Sequence, residues 1–268
     1  MGKRGLGLVN LLGLVVIGVY YLVLFLLPTD FSNPTREFYV NDYADVFTSA
    51  SMDHFLTKSE EVYERTKSKD LGGLQIVTAT YAYEEGTTET RNKTDLFRKW
   101  KIGENDMGLL LLYSYTASAS GQLRLTKSEA EVGYRLSGYL TAGSLGTIFD
   151  DSLGKVKDYT DLYSLQIAQA KAYGKILEHV LPDAYGINVI PFDEEAYKQY
   201  QIDYAGPAYP KSVPLNALDY SFSSHGNLFL ALGWPLIFIG VFVFGGGVAF
   251  AVGHGGRSGG GGVTRLFH

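Results

Sequence analysis

The sequence predicts an α/β domain, a mixed sheet covered by helices, flanked by two transmembrane helices. Three observations carry this. Two runs of strand length, Leu74–Thr80 and Met107–Tyr113, alternate with stretches whose apolar residues recur at helical spacing. Uncharged apolar runs lie near both ends, Leu6–Leu27 and Leu228–Val252, each reaching the roughly 20 residues that cross about 30 Å of hydrocarbon. There is no cysteine, which excludes disulfides, a thiol nucleophile and a thiolate zinc site and leaves the middle to stand on its core.

In order along the chain, residues 1–29 read as an N-terminal anchor. Lys3 and Arg4 before the run also fit a signal peptide. The run, however, exceeds the about 7–15 residues of a signal core, and no small-residue cleavage site follows. Residues 30–182 are the domain. After the entry segment Glu37–Phe47, Thr48–Lys69 reads as a helix with Phe55, Leu56, Val62 and Tyr63 on one face, ended by Asp70–Gly73. Leu74–Thr80 is rich in β-branched residues and reads as a strand. Thr87–Lys101 is a second helix, apolar at Leu96, Phe97 and Trp100. Met107–Tyr113 is continuously apolar, the pattern of a strand covered on both faces. A polar hairpin at Ser118–Gly121 leads to Gln122–Thr126 and Glu131–Tyr134. Helices over 139–151 and Thr160–Val180 close the domain. Residues 183–227 read as a Pro- and Tyr-rich linker, since the stretch from Pro182 to Asn227 holds five of the eight prolines. Residues 228–252 are the second span and 253–268 a Gly-rich, disordered tail.

Charge orients the pair of spans. Outside 30–227 the chain carries Lys3, Arg4, Arg257 and Arg265 and no acid, so a net charge of −5 leaves −9 in the middle. Basic flanks stay cytoplasmic, which puts both termini inside and the domain on the extracytoplasmic side. An acidic domain argues against nucleic acid and fits divalent cations or cationic surfaces.

Chemical motifs are sparse. Gly256–Gly260 spells G-x-S-x-G, but a nucleophile elbow needs a strand before it and a helix after it, which a glycine tail lacks. No P-loop or H-E-x-x-H occurs, and His54 and His179 fall on helix surfaces. Asn92–Thr94 is a formal glycosylation sequon. What remains is a set of carboxylates: Asp42 and Asp45 in the entry segment, Asp106 before the buried strand, and Glu131. Ligands in α/β sheets commonly sit at strand ends, and oxygen donors without His or Cys select Ca²⁺ or Mg²⁺. Asp42, Asp106 and Glu131 are therefore the candidate metal ligands. The competing reading makes Asp42 and Asp106 turn or helix caps.

These segments resemble the TPM-domain family, which includes thylakoid-lumen photosystem-repair proteins and bacterial membrane-anchored proteins. The resemblance lies in Val40-Asn-Asp-Tyr-Ala44, Arg98-Lys-Trp-Lys-Ile-Gly103, Asp106-Met-Gly-Leu-Leu-Leu-Leu112, Glu131-Val-Gly-Tyr134 and Asp158-Tyr159. It covers residues 37–180, and the C-terminal span with its Gly-rich tail is similar to the bacterial branch. It implies an α/β/α sandwich with a crevice at one end of the sheet and Ca²⁺ or Mg²⁺ near Asp42 and Asp106. For function it implies either acid phosphatase activity or a non-catalytic role beside membrane complexes. This chain departs from the family where Ser137 and Ala142 replace two carboxylates and Arg135 replaces a glycine. Lost ligands weaken metal-assisted hydrolysis. The expected function is accordingly an interaction or accessory module for a membrane protein complex. The alternative is a metal-assisted phosphomonoesterase with Arg135 receiving phosphate.

Overall fold

The computed structural model describes residues 3–26, 33–87, 89, 91–223, 232 and 263–266. It divides into two compact units, one of residues 1–36 with 214–254 and one of residues 37–213 with 255–268.

The larger unit is built on a five-stranded sheet. Its strands are β1 (Val40–Asp42), β2 (Gln75–Glu84), β3 (Gly108–Ala117), β4 (Leu123–Val132) and β5 (Val263–Leu266), and they lie side by side in chain order. The pairs β1–β2 and β2–β3 are parallel, while β3–β4 and β4–β5 are antiparallel, so the sheet is mixed as expected. A parallel pair needs a crossover, and helices supply both: α2 (Ser49–Thr66) between β1 and β2, and α3 (Lys93–Lys99) between β2 and β3. The antiparallel β3–β4 pair needs only the turn at Ser118–Gly121, where the Gly121 N–H donates to the Ser118 carbonyl at 2.8 Å. After β4 come α4 (Ala142–Ser152), α5 (Leu162–Tyr185) and α6 (Glu194–Asp203).

Period-two alternation sorts the side chains of β3 between two cores. Leu109, Leu111, Tyr113 and Tyr115 pack with Phe55 and Val62 of α2, Leu145 and Phe149 of α4 and Tyr173 and Ile176 of α5. Leu110 and Leu112 face the other way, onto Leu96 and Phe97 of α3 and the neighbouring Trp100 and Ile102. Burial on both faces is why the strand reads as an unbroken apolar run. The α/β/α layering follows.

Three segments differ from the sequence reading. β4 is one strand, not two pieces; its polar middle reflects Lys127, Glu129 and Glu131 alternating along one face. The tail, expected to be disordered, contributes β5. The supposed linker carries α6, and Tyr197 on that helix is only 4% exposed within the core. Proline clustering concealed it, because Glu194–Asp203 holds no proline of its own.

In the smaller unit, α1 (Lys3–Leu26) is a 24-residue helix and α7 (Ala217–Phe222) a short one. Asn33 and Pro34 bond to the backbone of Leu215, and Tyr21 stacks near Phe222. Among the described residues no helix is long and apolar enough to cross a membrane, so the expected pair of transmembrane helices is not supported there. Side chains of α1 are described only from Val15 onward, and the second run, 228–252, lies outside the described residues except Leu232.

Candidate functional site

The three predicted metal ligands do not converge. Asp42 ends β1 and lies level with Thr80 of β2 and, through it, Tyr113 of β3. Asp106 precedes β3, whose first residue is Gly108. Five residues of strand at about 3.3 Å each put roughly 16 Å between these levels. Glu131 pairs with Leu110 on β4, three strand spacings from β1, or about 14 Å sideways. Reading "carboxylate beside a strand" from sequence did not say which end of the strand, and Asp42 and Asp106 take opposite ends. Among the described residues no group of three or more His, Asp or Glu could hold a metal ion.

Asp42 already has its partners. It is 4% exposed. One carboxylate oxygen accepts from the Val46 N–H at 3.2 Å and from the Thr80 hydroxyl; the other accepts from the Phe47 N–H at 2.8 Å. Burial pushes the carboxyl above its ordinary pKa, against the opposing pull of the bonds from Thr80, Phe47 and Val46. Its chemistry is to pin the 42–47 turn, in which Asp45 takes φ 57°. Three of the carboxylate's roughly four acceptor positions are thus taken by groups of its own turn and of β2.

The other sheet end is a backbone knot. Lys101, Gly103, Asn105 and Asp106 all have positive φ, a conformation that side chains resist. The knot persists because it is clamped: the Gly103 N–H donates to the buried Gln75 side chain at 2.7 Å, and the Gly133 N–H to the Gly108 carbonyl at 2.8 Å. A Cβ on Gly103 would strike the backbone of Gly108, and one on Gly133 the carbonyl of Asp106. The three motifs that contain Gly103, Gly108 and Gly133 are therefore three sides of one close backbone approach. Beside it Arg135 is exposed and Ser137 turns its hydroxyl onto the Tyr134 carbonyl at 2.7 Å, a local bond.

A polar row on the α3 face of the sheet escaped the sequence reading. Lys127 Nζ lies 2.8 Å from Glu129 and 3.4 Å from Glu89, and Glu89 also accepts from Ser114 at 2.7 Å. Burial works to lower the Lys127 pKa, but the two carboxylates outweigh it and raise it. A lysine so held stays protonated and cannot serve Ser114 as a base.

A further feature is a cleft of about 490 Å³ between α2, α5 and the 188–200 segment, within the size range of ligand sites. Val62, Leu177, Leu181, Val189 and Phe192 line it, with Tyr197 and His54 at one end. At its rim Glu61 pairs with Lys58 at 2.9 Å and Arg65 at 3.4 Å. Ile190, also lining it, is 91% exposed. The outer wall is fastened to α2: Tyr200 and Tyr209 donate to the two oxygens of Asp53 at 2.7 and 2.9 Å, and Tyr197 shares a 3.1 Å bond with Ser51. Rings surround His54, with Tyr197 4.7 Å away. Burial, aided by Lys58 and opposed by Asp53, lowers its pKa to about 4. It is a neutral, aromatic part of the wall. The signal missed in the sequence was His54 and Asp53 opposite a tyrosine-rich stretch.

No curated protein matches the chain. A family model, described as the TPM domain, matches residues 40–161. That span holds β1 to β4, both parallel crossovers and the glycine knot, and it stops as α5 begins, leaving most of the cleft's wall beyond it. The residues that build this sheet and its turns, 40–161, thus match the TPM-domain family, the one that the quoted motifs resemble.

Proposed function

We propose that this chain is a membrane-tethered accessory module. It holds an apolar segment of a membrane-complex subunit in the cleft between α2 and α5, on the extracytoplasmic side of the bilayer. The cleft carries the reading: it is roomy, apolar inside, and rimmed by Lys58, Glu61 and Arg65. Buried apolar cores with polar rims are how specific protein interfaces are built. The tether rests on the sequence alone, on the uncharged run Leu6–Leu27, which would extend about 33 Å as a helix at 1.5 Å per residue. Lys3 and Arg4 set its orientation.

A photo-crosslinking residue at Ile190 tests the proposal in intact membranes. A discrete adduct with a membrane-complex subunit is expected, absent when the probe is moved to Thr147 on the exposed side of α4 and lost in Leu177→Glu. Failure of Ile190 to give a discrete adduct sinks it.

The phosphomonoesterase reading lacks a supporting arrangement, since Arg135 and Asp106 are remote from Asp42 and Asp42's oxygens are engaged. Its check is phosphatase assay of the full chain with and without Mg²⁺ or Ca²⁺, beside Asp106→Asn. Metal-dependent turnover that disappears in the variant would displace the binding-module reading.

A further inference from the structure

Strand β5 runs antiparallel along the outer edge of β4, with Val263 opposite Ala130 and Leu266 opposite Lys127. Side chains on both faces fix this register. On one face Arg265 forms a fork with Asp150 of α4, Nε to Oδ1 at 3.0 Å and Nη2 to Oδ2 at 3.3 Å. Gly146, one turn earlier on α4, leaves room for the guanidinium, since a Cβ there would stand 2.5 Å from Nη2. On the other face the Thr264 hydroxyl donates to Glu129 at 2.9 Å and lies 3.4 Å from Lys93 Nζ. Four residues with a bidentate contact and a threonine bond make a recognisable docking strand, not a chance graze of a glycine tail.

We infer that the β4 edge, with Asp150 and Glu129, is a docking site for this chain's own C-terminal tail, and that docking holds the tail on the same side of the bilayer as the domain. The apolar run 228–252 then starts and finishes on that side. The inference rests on the proposed tether and revises the orientation expected from charge, which sent the tail inside. The domain ends before the run and β5 follows it, so a single crossing would place β4 and β5 in different compartments. Residues 253–262 cannot bring the tail back: they are mostly glycine, and a crossing requires about 20 apolar residues with every backbone group bonded internally. Pairing of β4 with β5 and one crossing by 228–252 therefore exclude each other. The orientation drawn from Lys3 and Arg4 is untouched, because only the tail changes sides.

The chain has no cysteine, so Ala130→Cys with Val263→Cys introduces the only thiols. Membranes bearing the full-length double variant are first extracted with alkaline carbonate, then a separate portion is oxidised mildly before any detergent is added. Retention in the carbonate pellet is expected, together with a disulfide within one chain, seen as a shifted monomer on a non-reducing gel. Adding Asp150→Arg should cut its yield about tenfold, as expected for loss of a charge-assisted fork, and Arg265→Asp in the same chain should restore it. Release by carbonate overturns the tether itself. Retention without a cross-link in membranes, whether or not detergent later permits one, overturns the same-side docking alone. A cross-link found only between two chains overturns docking in cis and assigns the edge to a second copy.

Discussion

Asp42, His54 and Gly133 contrast what a residue's identity suggests with what its surroundings make of it. Asp42 looked like a metal ligand, and its competing role as a turn cap is the one its bonds describe. Asp42→Asn replaces one acceptor oxygen with an amide donor facing an N–H, and a loss of about 1–3 kcal/mol in denaturant unfolding is expected. Because burial raises the Asp42 pKa, the folded state binds its proton more readily than the unfolded chain. This group alone therefore favours folding below its unfolded pKa and loses that advantage as pH rises through the folded value. His54 acts in the opposite sense. Its folded pKa of about 4 lies below the ordinary histidine value of about 6.5, so the unfolded chain takes up the proton first and stability falls as pH drops from about 6.5 towards 4, by up to roughly 3 kcal/mol. His54→Phe should flatten that part of the stability–pH curve; an unchanged acid limb would rule His54 out as its source. At Gly133 the obstacle is a carbonyl and not a flexible side chain. Gly133→Ala should therefore cost at least about 2 kcal/mol by thermal or chemical unfolding.

Among the elements, β3 was plain in the sequence because burial on both faces demands an unbroken apolar run, and α2 and α5 because each packs one stripe. β4 was half legible. Its Lys127–Glu129–Glu131 alternation has strand period, but the polar residues point inward under α3, where a sequence reader expects apolar ones. β1 and β5 were invisible: three and four residues are too short for any period to be seen. The candidate site was the least legible part, since α6 sits among prolines and its hold on α2 depends on Asp53 and Ser51, about 150 positions earlier. The three candidate metal ligands lie apart for a related reason, as no sequence pattern says which end of a parallel strand a flanking carboxylate occupies. Removing residues 263–268 leaves β4 as an open edge, and open edges pair with other chains. The truncated protein should show concentration-dependent association by light scattering while retaining its far-ultraviolet dichroism; a strictly monomeric truncation would mean that Lys127 and the twist of β4 protect the edge by themselves.

For the whole molecule, the boundary that matters is Val213 and not Pro182. Tyr197 fills the core, Tyr200 and Tyr209 hold Asp53, and Ser212 accepts from the Asp42 N–H at 3.0 Å. A fragment ending at Pro182 lacks all four and should unfold at markedly lower denaturant than one ending at Val213, with bound hydrophobic dye reporting the bared faces of α2 and α5. Equal midpoints would show the 183–213 segment to be dispensable. The TPM match, ending at Asp161, thus takes in β1 to β4 and stops short of the larger compact unit. The order of strands has a further consequence, for the path by which the chain acquires its shape. The β3–β4 pair closes a loop of a few residues, whereas β1 must wait for α2 and β2 for α3 before either finds its parallel neighbour. Loop closure favours near partners, so the central hairpin should gain protection from hydrogen exchange first during refolding, and the edge made by Val40–Asp42 should be among the last amides to be shielded.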